Sequence, residues 1–356
     1  MQIGIDSFAV LTPEKVGGKP PVGRMHDLLE EIIIADEVGL DVFGVGEHHR
    51  AEFLDSAPTV ILGAAAARTR SIRLTSAVTV LGAADPVRVF QDFATLDLIS
   101  DGRAEITVGR GSFTEAFPLF GYQLADYDAV FAEKLDLLLQ LRAEEKIHWR
   151  GQFRPSLHGQ SISPRPLQSH LPIWLGVGGS PQSFVRAGRL GLPLMVAIIA
   201  GDPARFRPLV DLYRQAGAAA GHPVEALHVG LHMVGFPGDD TEEAANDFFP
   251  GFARIMTEVG AERGWAPMTR TQFDQMRGPR MSMLVGDGAL VAEKMLYADQ
   301  VLGGVDRITV QMGAAGVDHA RMQRAIEVLG QDVAPRVRAA KAARVLAKEN
   351  GGTPQG

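Results

Sequence analysis

The sequence predicts an α/β fold, a (β/α)₈ TIM barrel with insertions after helix 4 and after strand 7, and three observations predict it. Apolar runs of strand length alternate with segments of helical spacing along almost the whole chain, which calls for a parallel sheet covered by helices. The alternation gives eight units, the number that closes a barrel. No linker or composition break divides the 356 residues into halves. An open doubly wound sheet is the competing arrangement, and eight undivided units favour the barrel over it. The barrel is expected to fill residues 1–335 as a single domain, with the end of the last helix and a disordered tail in 336–356.

Residues 3–10 are the first strand. After a loop rich in proline and glycine (12–23), Met25, Leu28, Leu29, Ile32 and Ile33 recur at helical spacing, and Gly39 is placed to end that helix. Residues 41–46 form strand two, and 57–68 a helix with Ser56 as its cap. The β-branched run 72–81 is strand three. Asp85 and Pro86 then supply the N-cap and first-position proline of a helix through Leu98. Strand four is 103–109 and its helix 127–142. Residues 146–168, with Trp149, Phe153 and several prolines and glycines, lose the rhythm and are expected to form an inserted hairpin or excursion.

The stretch LPIWLGVGGSPQSFVRAGRLGLP (171–193) is the most informative. It reads as a buried strand, a sharp turn at Gly178 and Gly179, an N-cap at Ser180 and a helix opened by Pro181. Bare amides and a hydroxyl at a helix start beyond a strand suit an anion such as phosphate, and equally suit a plain capped junction. Residues 192–199 form strand six, Asp202 and Pro203 open the next helix, and 227–236 form strand seven. A less regular, partly helical segment (237–286) precedes a helix at 289–301, strand eight at Arg307–Gln311 and a last amphipathic helix at 320–329. The tail NGGTPQG after Glu349 is expected to be disordered.

Composition narrows the function. With 46% hydrophobic and 22% charged residues the chain reads as a soluble globular protein. A net charge of −7 without a basic block argues against nucleic acid or an anionic membrane as partner. The absence of cysteine excludes disulfides, thiolate metal sites and thiol nucleophiles. No leader is visible and the longest apolar run is too short to span a membrane, so the cytoplasm is the expected location.

In a barrel the chemistry gathers at the carboxyl ends of the strands. Strand two delivers Glu47, His48, His49 and Arg50. Alternation puts Glu47 and His49 on one side and His48 on the other. The remaining ligands of a catalytic metal are missing from the other strand ends, so none is expected. His48, beside a carboxylate, is the candidate site residue, and His49 is expected to be a hydrogen-bonded loop histidine. Arg110 stands between two glycines after strand four, placed to reach the same phosphate as the Ser180 turn. His228 and His232 share a face of strand seven and are expected to be satisfied core histidines. Phe8, Phe43 and Trp174 are expected to be barrel core.

Together these strand ends resemble the luciferase-like flavin-dependent monooxygenases, the family of bacterial luciferase and the alkanesulfonate monooxygenases. The resemblance rests on Glu47–His48–His49, on TSAVTVLGAADPVR (75–88), on LDLISDGRAEITVGRG (96–111) and on GVGGSPQSFVRAGRLGLPL (176–194). It runs from strand one to strand eight and implies a barrel holding FMN at its open end, usually as a homodimer packed through early helices. It implies that Arg110 and the Gly178–Gly179–Ser180 turn grip the phosphate. Ala77–Val78 matches the place of a non-prolyl cis peptide beneath the flavin ring. Glu47 and His48 match the catalytic element, with His48 as proton carrier. The 237–286 segment, with Arg277 and Arg280, is placed like the mobile lid of relatives, and His232 is a further candidate on the substrate side. Luciferase has a cysteine where this chain has Gly109, and its turn differs from GVGGSPQS; both departures bear on the substrate.

The activity so implied is that of a flavoprotein oxidoreductase. It would be a two-component-type monooxygenase using reduced FMN and O₂ on a small organic substrate, with a separate flavin reductase as possible partner. A deazaflavin (F420)-dependent hydride-transfer enzyme of the same superfamily is the alternative, and a non-catalytic flavin-binding protein the alternative of another class. A nicotinamide-binding reading is disfavoured, because GVGGSP lacks the GxGxxG spacing and strand six does not end in an acid.

Overall fold

The computed structural model describes residues 1–12, 18–111, 113–313 and 316–349. Eight parallel strands alternate with helices. They are β1 (Gln2–Ser7), β2 (Val42–Val45), β3 (Arg73–Ser76, resuming at Thr79–Val80), β4 (Ile106–Gly109), β5 (Ile173–Val177), β6 (Leu194–Ile198), β7 (Val229–Gly238) and β8 (Arg307–Gln311). Each is followed by its barrel helix: α1 (Pro21–Glu37), α2 (Pro58–Ala66), α3 (Pro86–Ile99), α4 (Tyr127–Ala143), α5 (Pro181–Arg189), α6 (Arg207–Ala219), α7 (Gly288–Val301) and α8 (His319–Val328). The spatial order is β3-β2-β1-β8-β7-β6-β5-β4, and Thr79–Val80 pairs with Val108 and Gly109 of β4, so the sheet returns to its own beginning. The expected TIM barrel is the fold observed. Among the described residues no helix is long and apolar enough to cross a membrane.

Both insertions lie where the rhythm failed. Lys146–Trp149 and Leu157–Ser161 form an antiparallel hairpin after α4. After β7 come a helix Thr241–Ala261 with Pro250 inside it, a helix Arg270–Met276, and a short strand Leu284–Asp287 paired with the end of β7. The segment expected to be less regular is thus largely helical. A final helix, Ala334–Glu349, buries Val337; the residues after Glu349, expected to be disordered, lie outside the described ones.

Several local expectations need correction. β1 stops at Ser7 instead of Val10, because Ala9 takes a positive φ of 47° and turns the chain. Strand three is interrupted at Ala77–Val78, whose peptide is cis. Ser56 does not cap α2: Ala57 holds that position and no side chain bonds to the helix start. His228 precedes β7 and sits exposed near Asp306, away from the strand face assigned to it.

The barrel interior is divided by height. β8 and β4 stand opposite each other in the ring, yet Arg307 donates to Glu105 at 2.6 and 3.1 Å, so this pair crosses the interior near the amino ends of the strands. Arg73 also bonds Glu105, Gln2 accepts from Arg307 at 2.8 Å, and the Arg307 guanidinium lies 4.3 Å from the centre of the Trp174 ring. Burial alone would raise the Glu105 pKa, but Arg307 and Arg73 hold it below the usual carboxylate range. Above this plug the strands present Ala77, Gly109, Gly176 and Ala197, and the interior opens.

Two lysines are almost wholly buried outside the barrel. Lys134 of α4 donates to the Gly82 carbonyl at 2.6 Å and lies over the Tyr122 ring. Lys294 of α7 donates to the carbonyls of Arg277 and Gly278 at 2.9 and 3.0 Å, closing the end of the Arg270–Met276 helix. Burial pushes both pKa values down from 10.5 to about 8, so across that interval the native chain holds fewer protons than the unfolded chain. Unfolding free energy is therefore expected to rise between about pH 8 and about pH 9.5 in urea titrations. That rise should shrink in Lys134→Met and Lys294→Met.

Candidate active site

A cavity of about 410 Å³ opens at the carboxyl ends of the strands, within the size range of small-molecule sites. Its wall includes Glu47, His48, Ala77, Val78, Arg110, Gly178 and His232 from the residues singled out by sequence. Gly179, Ser180, Arg277 and Arg280 are not part of it.

His48 is fixed by a carboxylate other than the adjacent one. Its Nδ1 lies 2.8 Å from Asp55 Oδ2, and its backbone N–H donates to Asp55 Oδ1 at 3.1 Å. Asp55 is fully buried, and burial raises its pKa while the bond to His48 opposes that rise. The imidazole packs against Phe8 and Phe53, with centroids at 4.6 and 4.5 Å. Asp55 on Nδ1 leaves Nε2 as the ring nitrogen without a protein partner among the described residues. Gly46 makes the arrangement possible: a Cβ there would lie 2.6 Å from Asp55 Oδ2 and 2.9 Å from the His48 ring.

Glu47 points the other way. One oxygen meets His49 Nε2 at 3.2 Å and the other accepts from the Val80 N–H at 2.9 Å, so it ties the β2 loop to resumed β3 and does not touch His48. His49 is the hydrogen-bonded loop histidine expected of it. The segment Glu47 braces contains the cis Ala77–Val78 peptide, on the cavity wall. Val78 fits because its neighbours are glycines: a Cβ on Gly109 or Gly176 would lie 2.5 or 2.8 Å from its methyls.

The anion-binding candidates converge with one change of hydroxyl. Arg110 lies over the Tyr127 ring, bonds Asp128, and donates to Ser183 Oγ at 3.4 Å. Ser183 is in the first turn of α5, so the guanidinium and that helix start share one rim. Ser180 does occupy the N-cap, but its hydroxyl donates to Gln182 at 2.8 Å and makes no capping bond. A Cβ at Gly178 or Gly179 would meet nothing within 4 Å, so their backbone faces open space.

On another arc His232 of β7 is buried and paired, as expected of a satisfied core histidine, and it also lines the cavity. Its Nδ1 is 2.6 Å from Asp6 Oδ2, which also accepts from Thr309, and its ring stacks on Phe8 at 5.7 Å. Phe8 is likewise a wall residue, whereas Phe43 and Trp174 are core as expected. Arg277 is held by Asp274 at 2.8 Å and Glu242 at 2.6 Å, and Arg280 is exposed; neither faces the cavity. What reaches the mouth from the long insertion is Glu262, bonded to Arg50, and Ile255, packed against the cluster of Val10 and Phe53. Among the described residues the group close enough to hold a metal, Asp27, Glu30 and His319, lies at the outer contact of α1 with α8.

Sequence reasoning passed over Asp55, Asp6, Ser183 and Phe113. Asp6 carried a readable signal, an acid at an inward position of a buried strand. The other three are brought in by loops and a helix turn that no periodicity specifies.

A parallel barrel with an arginine and a helix start on one rim and a histidine–aspartate pair across from them defines a small-molecule enzyme site of the TIM-barrel type. The chain belongs to the luciferase-like monooxygenase family, whose model matches residues 6–315. It is 27% identical over 342 residues to 4-hydroxyprotoasukamycin monooxygenase of Streptomyces nodosus subsp. asukaensis, covering 92% of this chain and 91% of that one. It is 24% identical over 347 residues to an F420-dependent glucose-6-phosphate dehydrogenase of Amycolatopsis mediterranei, covering 91% and 99%. Among solved structures the fold matches monooxygenase RslO1 from Streptomyces bottropensis, with a TM-score of 0.82, 24% identity and coverage of 94% and 99%. It also matches the oxygenating constituent of 3,6-diketocamphane monooxygenase from a Pseudomonas putida plasmid, solved with FMN, with a TM-score of 0.76, 18% identity and coverage of 95% and 98%.

The fit around Val78 gives a direct test. Gly109→Ala and Gly176→Ala are each expected to destabilise the protein by about 1–3 kcal/mol through overpacking. Val78→Ala should restore much of that loss in the double variants, as read by thermal and urea unfolding.

Proposed function

We propose that this chain is a cytoplasmic, homodimeric flavoprotein, a monooxygenase that uses reduced FMN and O₂ on a small organic substrate, with the reduced flavin delivered by a separate reductase. The observation that carries the reading is the meeting of Arg110 with the first turn of α5 on one rim of a cavity that holds the His48–Asp55 pair elsewhere on its wall. The names of the relatives support it: one is a monooxygenase, and one structural neighbour is a monooxygenase in complex with FMN.

The residues present fit the cofactor. Arg110, Ser183 and the open backbone at Gly178 and Gly179 would hold its phosphate, by charge-assisted hydrogen bonds and by the helix start. A flat ring would lie against Val78, seated between Gly109 and Gly176 on the cavity wall. Bound reduced flavin would supply the activation of O₂ and the transfer of one oxygen atom. The chain supplies the rest. Asp55 on Nδ1 fixes the tautomer and direction of His48, so that Nε2 takes or gives the proton. Phe8 and Phe113, which line the cavity and pack against the Val10–Phe53 cluster, keep water from the reacting end. α2 and its C-cap leave Val60, Ala64 and Ala67 exposed at helical spacing, a face suited to a second copy.

A second reading, F420-dependent hydride transfer, is favoured by the dehydrogenase relative and by the same phosphate rim. A flavin-binding protein without turnover gives no reason for a buried carboxylate committed to a wall histidine.

Titrating the protein with FMN, riboflavin and F420, oxidised and reduced, separates these readings; FMN is expected to bind most tightly. Arg110→Ala should weaken FMN by about 10- to 100-fold, the worth of a charged hydrogen bond, while leaving riboflavin unchanged. An equal loss for both ligands would remove Arg110 from the phosphate. With FMN bound, His48→Ala should lower kcat by about 10²–10⁴-fold. Asp55→Asn should lower kcat by less, with little change in KM. Full activity in His48→Ala would take that residue out of the mechanism.

A further inference from the structure

Resting on the flavin reading above, we infer that the substrate is an uncharged aromatic compound, and that organic anions such as sulfonates and carboxylates are rejected. β1 and β5 stand opposite each other in the ring, so the arc that carries Phe8 faces the rim of Gly178 and α5. On that arc the Phe8 ring lies between His48 at 4.6 Å and His232 at 5.7 Å. Phe113 closes the side of the cavity, with its ring 5.5 Å from His48 and 6.0 Å from Phe53. Phe8, stacked on His232, and Phe113, with the Arg50 guanidinium 4.8 Å from its ring centre, both line the cavity beside the imidazole and offer offset or edge contacts to a substrate ring.

The charges on the wall point the same way. Asp6, Glu47 and Glu115 all line the cavity. Each wall histidine already has a carboxylate: Asp55 for His48, Glu47 for His49 and Asp6 for His232. Among the described wall residues the arginine is Arg110, committed to the far rim. Arg50, at the mouth, meets three carboxylates, Glu52 at 3.1 Å, Glu115 at 3.0 Å and Glu262. A sulfonate needs an arginine fork or several donors to replace its hydration, and here it would meet carboxylates instead. A neutral carbonyl or thioether on an aromatic ring incurs no such cost and finds His48 Nε2 as its polar partner.

The test is calorimetric titration of the FMN-loaded protein with 2-acetonaphthone, naphthalene-2-sulfonate, 2-naphthylmethylamine and octane-1-sulfonate. The ketone is expected to bind at least about tenfold more tightly than either sulfonate. Phe113→Ala should weaken the ketone by about three- to tenfold, and Phe8→Leu serves as a second, milder variant of the same arc. Glu115→Gln, which removes one carboxylate from the wall, should improve naphthalene-2-sulfonate and leave the ketone unchanged. A sulfonate or the amine binding as tightly as the ketone would overturn the inference, as would ketone affinity indifferent to both phenylalanine variants. The ketone-to-sulfonate ratio decides the substrate class whether or not FMN is retained, and the FMN titration separately decides the cofactor.

Discussion

The ion pair that Arg307 makes across the barrel with Glu105 is the constraint on which the rest of the interior depends. A parallel barrel offers only every second residue of each strand to its centre, so its lumen is filled or emptied layer by layer. Here the amino-end layer is filled by long polar chains and Trp174, with both charges paired and the arginine further bonded to Gln2. A buried charge tolerates this place only while its partners are complete, which fixes the strands that carry them. With that floor set, the layers above can be hollow. Alanine at 77 and 197 lines them, and Val78 is the wedge that fills the space left between Gly109 and Gly176. Gly109, where luciferase has a cysteine, is therefore a packing requirement of Val78 before it is anything else.

Much of this was legible in the chain because it follows from period and from capping chemistry. The eight units, both insertions, the Asp85 cap and the Ser180 position depend only on residues near each other in sequence. The alternation argument at strand two also held in one respect: Glu47 and His49 do share a side and bond to each other. It could not show which acid His48 uses, because Asp55 comes back through a loop seven residues on and only the fold turns it inward. Ser180 and Ser183 illustrate the same limit on a smaller scale. Both open α5, but three residues of helix rotate the hydroxyl through most of a turn, and the tilt of the helix on β5 decides which one faces Arg110. Arg277 looked like a lid residue by position, yet it is used up inside the insertion by Glu242 and Asp274.

The two halves of the cavity are built by different strands, and this separation gives the family resemblance its physical meaning. The rim of Arg110 and the glycine turn belongs to the ends of β4 and β5, whereas the aromatic arc belongs to β7, β1 and β2 and to a loop reaching over from β4. Loops at the carboxyl ends of a barrel can change without disturbing the strands beneath them. Relatives named for different cofactors and substrates can therefore share one scaffold with this chain at 24–27% identity.

The mouth is held by interactions of unequal strength, and the inequality has a direction. Arg50 joins three segments, bonding Glu52 in its own loop, Glu115 after β4 and Glu262 beyond the insertion helix. Glu262 is the most exposed of the three acids, so water and salt screen that pair and it gives up little on parting. Ile255, packed against the cluster around Val10 and Phe53, is the stronger tether, since separating it re-exposes apolar surface. Deeper in the insertion Phe248, Phe252 and Phe273 are buried in the main core, so the exposed ion pair at Glu262 is the weakest of its attachments.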